Sequence, residues 1–129
     1  MGSTICLVED ELLLRAMSQA DLEDIGFEVI PVTTCQEAWQ LIGSGTRIDC
    51  LLTDIRTPGP MDGWQLARQS RDLVPELPVI YVSGYSGSET HPVPGSIFLT
   101  KPYRLADLEE ALSALGLAPE VQPQIGPAL

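Results

Sequence analysis

The chain has 129 residues, 44% of them hydrophobic, which fits one globular domain with a buried core and argues against wholesale disorder. Its 18 acidic and 7 basic side chains give a net charge of -11, so we expect no direct nucleic-acid or membrane partner, because such a surface repels phosphates and anionic lipids. The apolar stretches fall far short of the roughly 20 residues that span a bilayer, and the N-terminus lacks a signal pattern, which together predict a cytoplasmic protein.

The first part of the sequence predicts a strand, a helix and a second strand. An apolar run over residues 4–8 has strand length and stops at acidic residues, beginning with Glu9 and Asp10. A helix is predicted over residues 12–25, because apolar side chains recur there at helical spacing. This apolar stripe consists of Leu13, Ala16, Met17 and Ala20. A second strand is predicted over residues 27–32.

The next part predicts a helix, a third strand and another helix. Thr34 and Glu37 match a capping box, so a helix should begin there. The third strand, predicted over residues 48–53, ends abruptly at Asp54 and is followed by a Pro/Gly-rich turn. The helix after this turn should end before Pro75.

A fourth strand is predicted over residues 78–83, but the helix expected after it should be distorted or missing. The segment from residue 84 to residue 96 is short and polar, with almost no apolar stripe. Its helix breakers are Pro92, Pro94 and Gly95. An ordered ten-residue helix over residues 86–95 would contradict this prediction.

The last part predicts a short fifth strand over residues 97–100 and an amphipathic helix over residues 105–115. Strands that alternate with helices, and that are nearly all apolar, indicate an α/β fold with a parallel sheet covered on both faces. We expect one domain over residues 4–116 and a loose Pro/Gly-rich tail over residues 117–129.

The three cysteines are odd in number and show no CxxC pairing, which supports neither a disulfide framework nor a structural zinc site. Cys6 and Cys50 lie inside apolar strand patterns. We therefore interpret both as buried free thiols.

Polar side chains follow four of the predicted strands at their carboxyl ends. These residues are Glu9, Asp10, Asp54, Ser83 and Lys101. Parallel strands end at the same edge of a sheet, where ligands bind in open α/β folds. Acids brought together there repel one another unless a cation lies among them, and an oxygen-only ligand set favours Mg²⁺.

This set of residues predicts a metal-dependent phosphoryl site. A carboxylate can attack phosphorus and form an acyl phosphate, and we assign that role to the central acid, Asp54. Asp10 would bind the metal, Glu9 would lie nearby or reach it through water, and Lys101 and Ser83 would contact the phosphoryl oxygens. Each residue also has a plainer interpretation, as a turn residue, an acid in the first turn of a helix, or a solvated lysine.

Taken jointly and in order, the motifs resemble the receiver domain of bacterial two-component response regulators over residues 4–116. The matching motifs are Glu9-Asp10, Asp54 with Pro58 and Met61-Asp62-Gly63 downstream, Ser83-Gly84 and Lys101-Pro102. The resemblance implies a flavodoxin-like (βα)5 fold with a five-stranded parallel sheet in the order 2-1-3-4-5.

The resemblance also implies roles for individual residues. Asp54 would accept a phosphoryl group from the phosphohistidine of a histidine kinase or phosphotransfer domain. Asp10, Asp54 and the backbone carbonyl of Arg56 would bind Mg²⁺, and Lys101 would contact the phosphoryl group. The peptide bond before Pro102 would be cis.

Three further expectations come from the same resemblance. Ser83 and Phe98 would form the switch pair, although Phe98 could also be a plain core residue. Arg56 and Tyr85 would flank the phosphoryl group and tune its lifetime. Glu9 stands where many family members have aspartate, and its longer side chain should shift outward without abolishing metal binding.

The leading interpretation is a phosphoacceptor switch that acts through protein contacts with a target that the sequence does not identify. It would not be an enzyme beyond its own phosphorylation and dephosphorylation, and it could be a stand-alone protein, part of a hybrid kinase or a phosphate sink. The alternatives are an aspartate-nucleophile phosphohydrolase and an unphosphorylated scaffold. Such phosphohydrolases typically carry a second aspartate two residues after the nucleophile, where this chain has Arg56.

Overall fold

The computed structural model describes residues 2–84 and 90–119. Its strands are β1 (Thr4–Val8), β2 (Glu28–Val32), β3 (Cys50–Asp54), β4 (Val79–Ser83) and β5 (Ile97–Thr100). The helices of the described ranges are α1 (Leu12–Asp24), α2 (Cys35–Gly43), α3 (Gly63–Leu73) and α4 (Leu105–Ala114). All strand pairs are parallel, and the sheet order β2-β1-β3-β4-β5 confirms the predicted fold.

Helices cover both faces of the sheet, which is why the strands are almost continuously apolar. Successive strand residues face opposite sides. Cys6 and Leu51 belong to the core on the side of α2 and α3, whereas Ile5 and Leu52 belong to the core on the side of α1 and α4. The capping box that starts α2 is formed as predicted.

The apolar stripe predicted for the buried face of α1 is wrong. Leu13 is 65% exposed and Met17 is 55% exposed, whereas Leu22 is fully buried. The face of α1 that packs inward passes through Ser18, whose hydroxyl lies 3.4 Å from the Tyr103 hydroxyl. A serine interrupts the apolar residues on the buried face of α1. The apolar residues on its exposed face therefore show an equally clear helical spacing in the sequence.

No helix lies between β4 and β5 in the described residues, which bears out the expected distorted or missing helix. Val93 fills part of the core in this region and is 6% exposed. Its backbone N–H donates to the Tyr81 hydroxyl at 3.1 Å. A turn follows directly, in which the Ser96 N–H donates a hydrogen bond to the Val93 carbonyl at 3.3 Å. Gly95 in this turn has a φ of 76°. Proline followed by glycine with positive φ is the pattern of a type II turn.

Three further expectations concern the whole chain. All three cysteines are buried free thiols, as predicted for Cys6 and Cys50. Within the described ranges, none of the helices is long and apolar enough to cross a bilayer. Residues 120–129 of the predicted tail lie outside the described residues, and the domain boundary at residue 116 stays a prediction.

Candidate functional site

The carboxyl ends of β1 and β3 place three acids together. Val8 pairs with Thr53 in the parallel ladder, so the residues that follow each strand lie side by side. Carboxylate oxygens of Glu9, Asp10 and Asp54 lie within 4.8 Å of one another. The predicted acidic pocket is therefore formed, at the sheet edge where the sequence placed it.

Lys101 joins this pocket from the end of β5. Its Nζ lies 2.7 Å from Glu9 Oε1 and 2.8 Å from Asp54 Oδ1, so one ammonium bridges two of the acids. Its backbone N–H donates to the Ser83 carbonyl at 2.9 Å, which continues the β4–β5 ladder to the site. The peptide bond between Lys101 and Pro102 is cis, as the resemblance implied.

Glu9 points into the protein, so the expectation that it points outward is wrong. The residue is only 6% exposed. Its Oε2 accepts the Glu11 backbone N–H at 3.1 Å, and its backbone carbonyl accepts Arg15 Nη1 at 3.0 Å. The extra methylene lets the carboxylate reach Lys101, which compensates for its burial. Asp10, by contrast, is exposed.

The turn after Asp54 depends on Gly63. Its N–H donates to the Ile55 carbonyl at 2.6 Å. A Cβ at this position would lie 2.5 Å from the Asp54 carbonyl oxygen, which is closer than real Cβ contacts. Asp62 caps α3 by accepting the Gln65 N–H at 2.9 Å. The Asp62-Gly63 pair therefore has a structural role here: it starts α3 directly against the backbone of Asp54.

The pKa of Asp54 is raised and the pKa of Glu9 is lowered, because burial and hydrogen bonds act on the two acids to different extents. Desolvation, followed by a hydrogen bond with Glu9, raises the pKa of Asp54 to about 7. Burial also opposes ionisation of Glu9, but hydrogen bonds from Asp54, Lys101 and the Glu11 N–H lower its pKa overall. Hydrogen bonds to both carboxylates outweigh burial and raise the pKa of Lys101. Of these two neighbouring acids, Asp54 is therefore the one whose ionisation is disfavoured.

The chemistry of the donors fits Mg²⁺. Three carboxylates supply hard oxygen ligands in one place, and this described cluster contains neither a histidine nor a thiolate. One lysine does not neutralise three acids, so a divalent cation would balance the excess negative charge. Glu9, Asp10 and Asp54 are the side chains that could hold it.

The other residues singled out in the sequence lie around the pocket. Ser83 ends β4 and is half-buried, while the Arg56 side chain is exposed beyond β3. Phe98 on β5 is 38% exposed, and its ring stacks on Trp64 with centroids 6.3 Å apart. Tyr85 lies outside the described residues. The structure thus gives Phe98 a ring partner that the sequence did not identify.

Sequence reasoning also missed a cavity beside the pocket. It has a volume of about 480 Å³ and lies between α1 and α4. Glu9 and Lys101 line its inner end, Met17 lines the α1 side, and Tyr103 and Leu108 line the other side. The hydrogen bond between Ser18 and Tyr103 was not predicted, because neither residue lies at the end of a strand, where the sequence pattern brings residues together.

Comparisons with known proteins agree with this geometry. The profile of the response regulator receiver domain family matches residues 5–113. A response regulator receiver protein of Anaeromyxobacter sp. strain Fw109-5 is 34% identical over 108 residues, which cover 84% of this chain and 43% of that protein. The sensor kinase CckA of Brucella abortus is 32% identical over 112 residues, covering 83% of this chain and 12% of the kinase.

A solved structure gives the same result. The crystal structure of a response regulator receiver protein from Sinorhizobium medicae WSM419 superposes with a TM-score of 0.85 at 40% identity, covering 88% of this chain and 94% of that one. The two sequence relatives above are longer, and the chain spans less than half the length of either.

Proposed function

Because the chain belongs to the response regulator receiver domain family of two-component signalling, we propose that Asp54 is its phosphoacceptor. Asp54 would take a phosphoryl group from the phosphohistidine of a histidine kinase or phosphotransfer domain. The phosphorylated chain would then change its contacts with a target protein. The observation that carries this proposal is the bridge of Lys101 Nζ to both Glu9 Oε1 and Asp54 Oδ1 within an acidic pocket.

The proposed reaction moves one phosphoryl group between two nucleophiles. A carboxylate oxygen of Asp54 attacks phosphorus, an acyl phosphate bond forms, and the bond from phosphorus to the donor imidazole nitrogen breaks. The Lys101 ammonium donates to a phosphoryl oxygen, and the Ser83 hydroxyl donates to another. Asp10, Asp54 and the Arg56 carbonyl would hold Mg²⁺, which would supply the positive charge that a dianionic group needs there.

The raised pKa of Asp54 bears on this reaction, because only the carboxylate is a nucleophile. With a pKa of about 7, a sizeable fraction of Asp54 is protonated at neutral pH. A divalent cation in the pocket favours the ionised form of the acids and so favours attack. The proposal therefore includes faster phosphorylation in the presence of the metal.

We infer that the phosphohistidine donor docks on α1. Leu12, Leu13 and Met17 are 71%, 65% and 55% exposed, an apolar surface next to the acidic pocket. Exposed apolar clusters of this kind mark protein contacts. Met17 also lines the cavity that reaches Lys101, so a partner helix on this surface would present its histidine close to Asp54.

Signalling would then pass through Ser83 and Phe98, the proposed switch pair. Arg56 and Tyr85 would shield the acyl phosphate from water. The chain could pass the signal to a target or drain phosphate from a kinase, and the described residues fit both roles.

Incubation with acetyl phosphate and Mg²⁺, followed by intact-mass measurement, tests the phosphoacceptor directly. A phosphoryl adduct on the wild type that disappears in Asp54→Ala supports the proposal. Rapid release of free phosphate with many turnovers would instead support the phosphohydrolase alternative, and no adduct at all would support an unphosphorylated scaffold.

The docking surface needs a separate test. Met17→Asp should accept phosphate from acetyl phosphate as the wild type does, but should lose transfer from a phosphohistidine protein that labels the wild type. The matched control is Leu73→Asp, since Leu73 is a similarly exposed apolar residue, at 53%, but lies on α3. Equal transfer to both variants would rule out the α1 surface.

A further inference from the structure

Glu9 is held inside the protein by both of its carboxylate oxygens. Oε1 accepts from Lys101 Nζ at 2.7 Å, and Oε2 accepts the Glu11 backbone N–H at 3.1 Å. The Glu9 backbone is fixed as well, because its N–H donates to the Val32 carbonyl at 3.1 Å. The position of this carboxylate is therefore determined by contacts on all sides, although it carries one methylene more than aspartate.

The same lysine is bound to the phosphoacceptor. Lys101 Nζ lies 2.8 Å from Asp54 Oδ1, so the ammonium donates hydrogen bonds to two of the three acids of the pocket. A divalent cation in this pocket needs oxygen lone pairs of the same carboxylates. Lys101 and the metal therefore compete for the oxygens of Asp54, and Glu9 decides how firmly Lys101 is held in place.

We propose that Glu9 is a positioning residue that clamps Lys101 against Asp54, so that Mg²⁺ binds only at the cost of loosening the contact between Glu9 and Lys101. The inference rests on the proposed function, because it concerns regulation of the same pocket. Such a clamp makes the length of the side chain at position 9, and not only its charge, a determinant of Mg²⁺ affinity.

The variant Glu9→Asp isolates length from charge. A carboxylate one methylene shorter keeps the negative charge of the pocket but cannot keep the Glu11 N–H and also reach Lys101 Nζ at 2.7 Å. With the clamp loosened, the variant should bind Mg²⁺ more tightly, by on the order of fivefold to tenfold, because a hydrogen bond between charged groups no longer has to be given up. Unchanged or weaker binding would overturn the proposal.

A double-mutant cycle separates a clamp from simple charge repulsion. The cycle comprises wild type, Glu9→Asp, Lys101→Met and the double variant, with Mg²⁺ affinity measured by titration calorimetry at fixed pH and ionic strength. Removing Lys101 should strengthen Mg²⁺ binding much more in the wild-type background than in the Glu9→Asp background, because the effects of substitutions at contacting residues are not additive. An equal factor in both backgrounds would show a general charge effect and refute the clamp.

Two controls complete the design. Glu11→Asp shortens an exposed acid two residues away, and it should leave Mg²⁺ affinity unchanged. Far-UV circular dichroism checks that each variant is folded. If Glu9→Asp fails this check, Glu9→Gln replaces it in the cycle, because its neutral amide cannot form the charged contact with Lys101.

The outcome is distinguishable from failure of the proposed function. The calorimetry contains no phosphodonor, so a coupled cycle would support the clamp even if acetyl phosphate never labelled Asp54. Normal labelling of Asp54 with an additive cycle would refute the clamp and leave the phosphoacceptor role standing. Failure of the wild type to bind Mg²⁺ at millimolar concentrations would overturn the clamp as well.

Discussion

Replacing Asp54 by asparagine should stabilise the metal-free protein at alkaline pH and have little effect at acidic pH. The reason is the displaced pKa of Asp54, which burial and the hydrogen bond with Glu9 raise from 3.8 to about 7. The folded state thus binds this proton more tightly than the unfolded state. The stabilisation from the proton is fully present below pH ~4 and is lost as the pH rises through about 7.

The magnitude follows from the size of the displacement. A change from 3.8 to about 7 corresponds to about 4 kcal/mol if the site is isolated and dry. The lowered pKa of Glu9 acts in the opposite direction, because ionised Glu9 stabilises the folded state above pH ~4. Water also reaches the edge of the pocket and weakens the effect. We therefore expect Asp54→Asn to gain about 1–2 kcal/mol at pH ~8 and less than half of that at pH ~5.

Urea denaturation followed by circular dichroism, in the presence of EDTA, measures this difference at the two pH values. Asp72→Asn is the control, because Asp72 is an exposed acid on α3 away from the pocket and should show no such pH dependence. If Asp54→Asn were equally stable relative to wild type at both pH values, or less stable at the higher one, the raised pKa of Asp54 in the folded protein would be refuted.

Four further substitutions test the structure around the site by urea denaturation. Gly63→Ala should destabilise the protein by about 2–3 kcal/mol and slow phosphorylation of Asp54, because the new Cβ would clash with the Asp54 carbonyl oxygen. An unchanged stability would show that the turn can rearrange to accept the Cβ. Val93→Ala should lower the free energy of unfolding by about 1–3 kcal/mol, because Val93 fills part of the core. Tyr81→Phe should lower it by about 1 kcal/mol, because the hydrogen bond to the Val93 N–H is lost. No loss of stability in either variant would mean that Val93 does not anchor this segment. Thr34→Ala should cost about 1 kcal/mol through the helix cap, and retained stability would show that Glu37 alone suffices.

The chemistry-bearing residues were predictable because local patterns place them at strand ends. Apolar runs of strand length are recognisable without any knowledge of the fold, and each such run here ends at a polar residue. Parallel strands then bring those residues to one edge. Glu9, Asp54 and Lys101 therefore came together as expected, although 92 residues separate Glu9 from Lys101.

The orientations of side chains were less predictable, because tertiary partners set them. Glu9 was expected to point outward on account of its length, yet Lys101 and the Glu11 N–H hold it inside. Leu13 and Met17 were expected in the core on account of their periodicity, yet the buried face of α1 passes through Ser18, which lies beside Tyr103. In both cases the deciding contact is made by a group that the local pattern does not contain.

Within the described residues no helix lies between β4 and β5, yet the acidic pocket is held by other parts of the fold. Glu9, Asp54 and Lys101 are placed by the ends of β1, β3 and β5, and the ladder from the Ser83 carbonyl to the Lys101 N–H is intact.

Phe98, however, stacks on Trp64, and Trp64 also contacts Tyr81, whose hydroxyl binds the backbone of Val93. A rotation of Phe98 would therefore remove a ring from Trp64 and disturb the packing that holds Val93. If Phe98 acts in the proposed switch, its movement would therefore be coupled to this aromatic stack and to the turn that follows Val93.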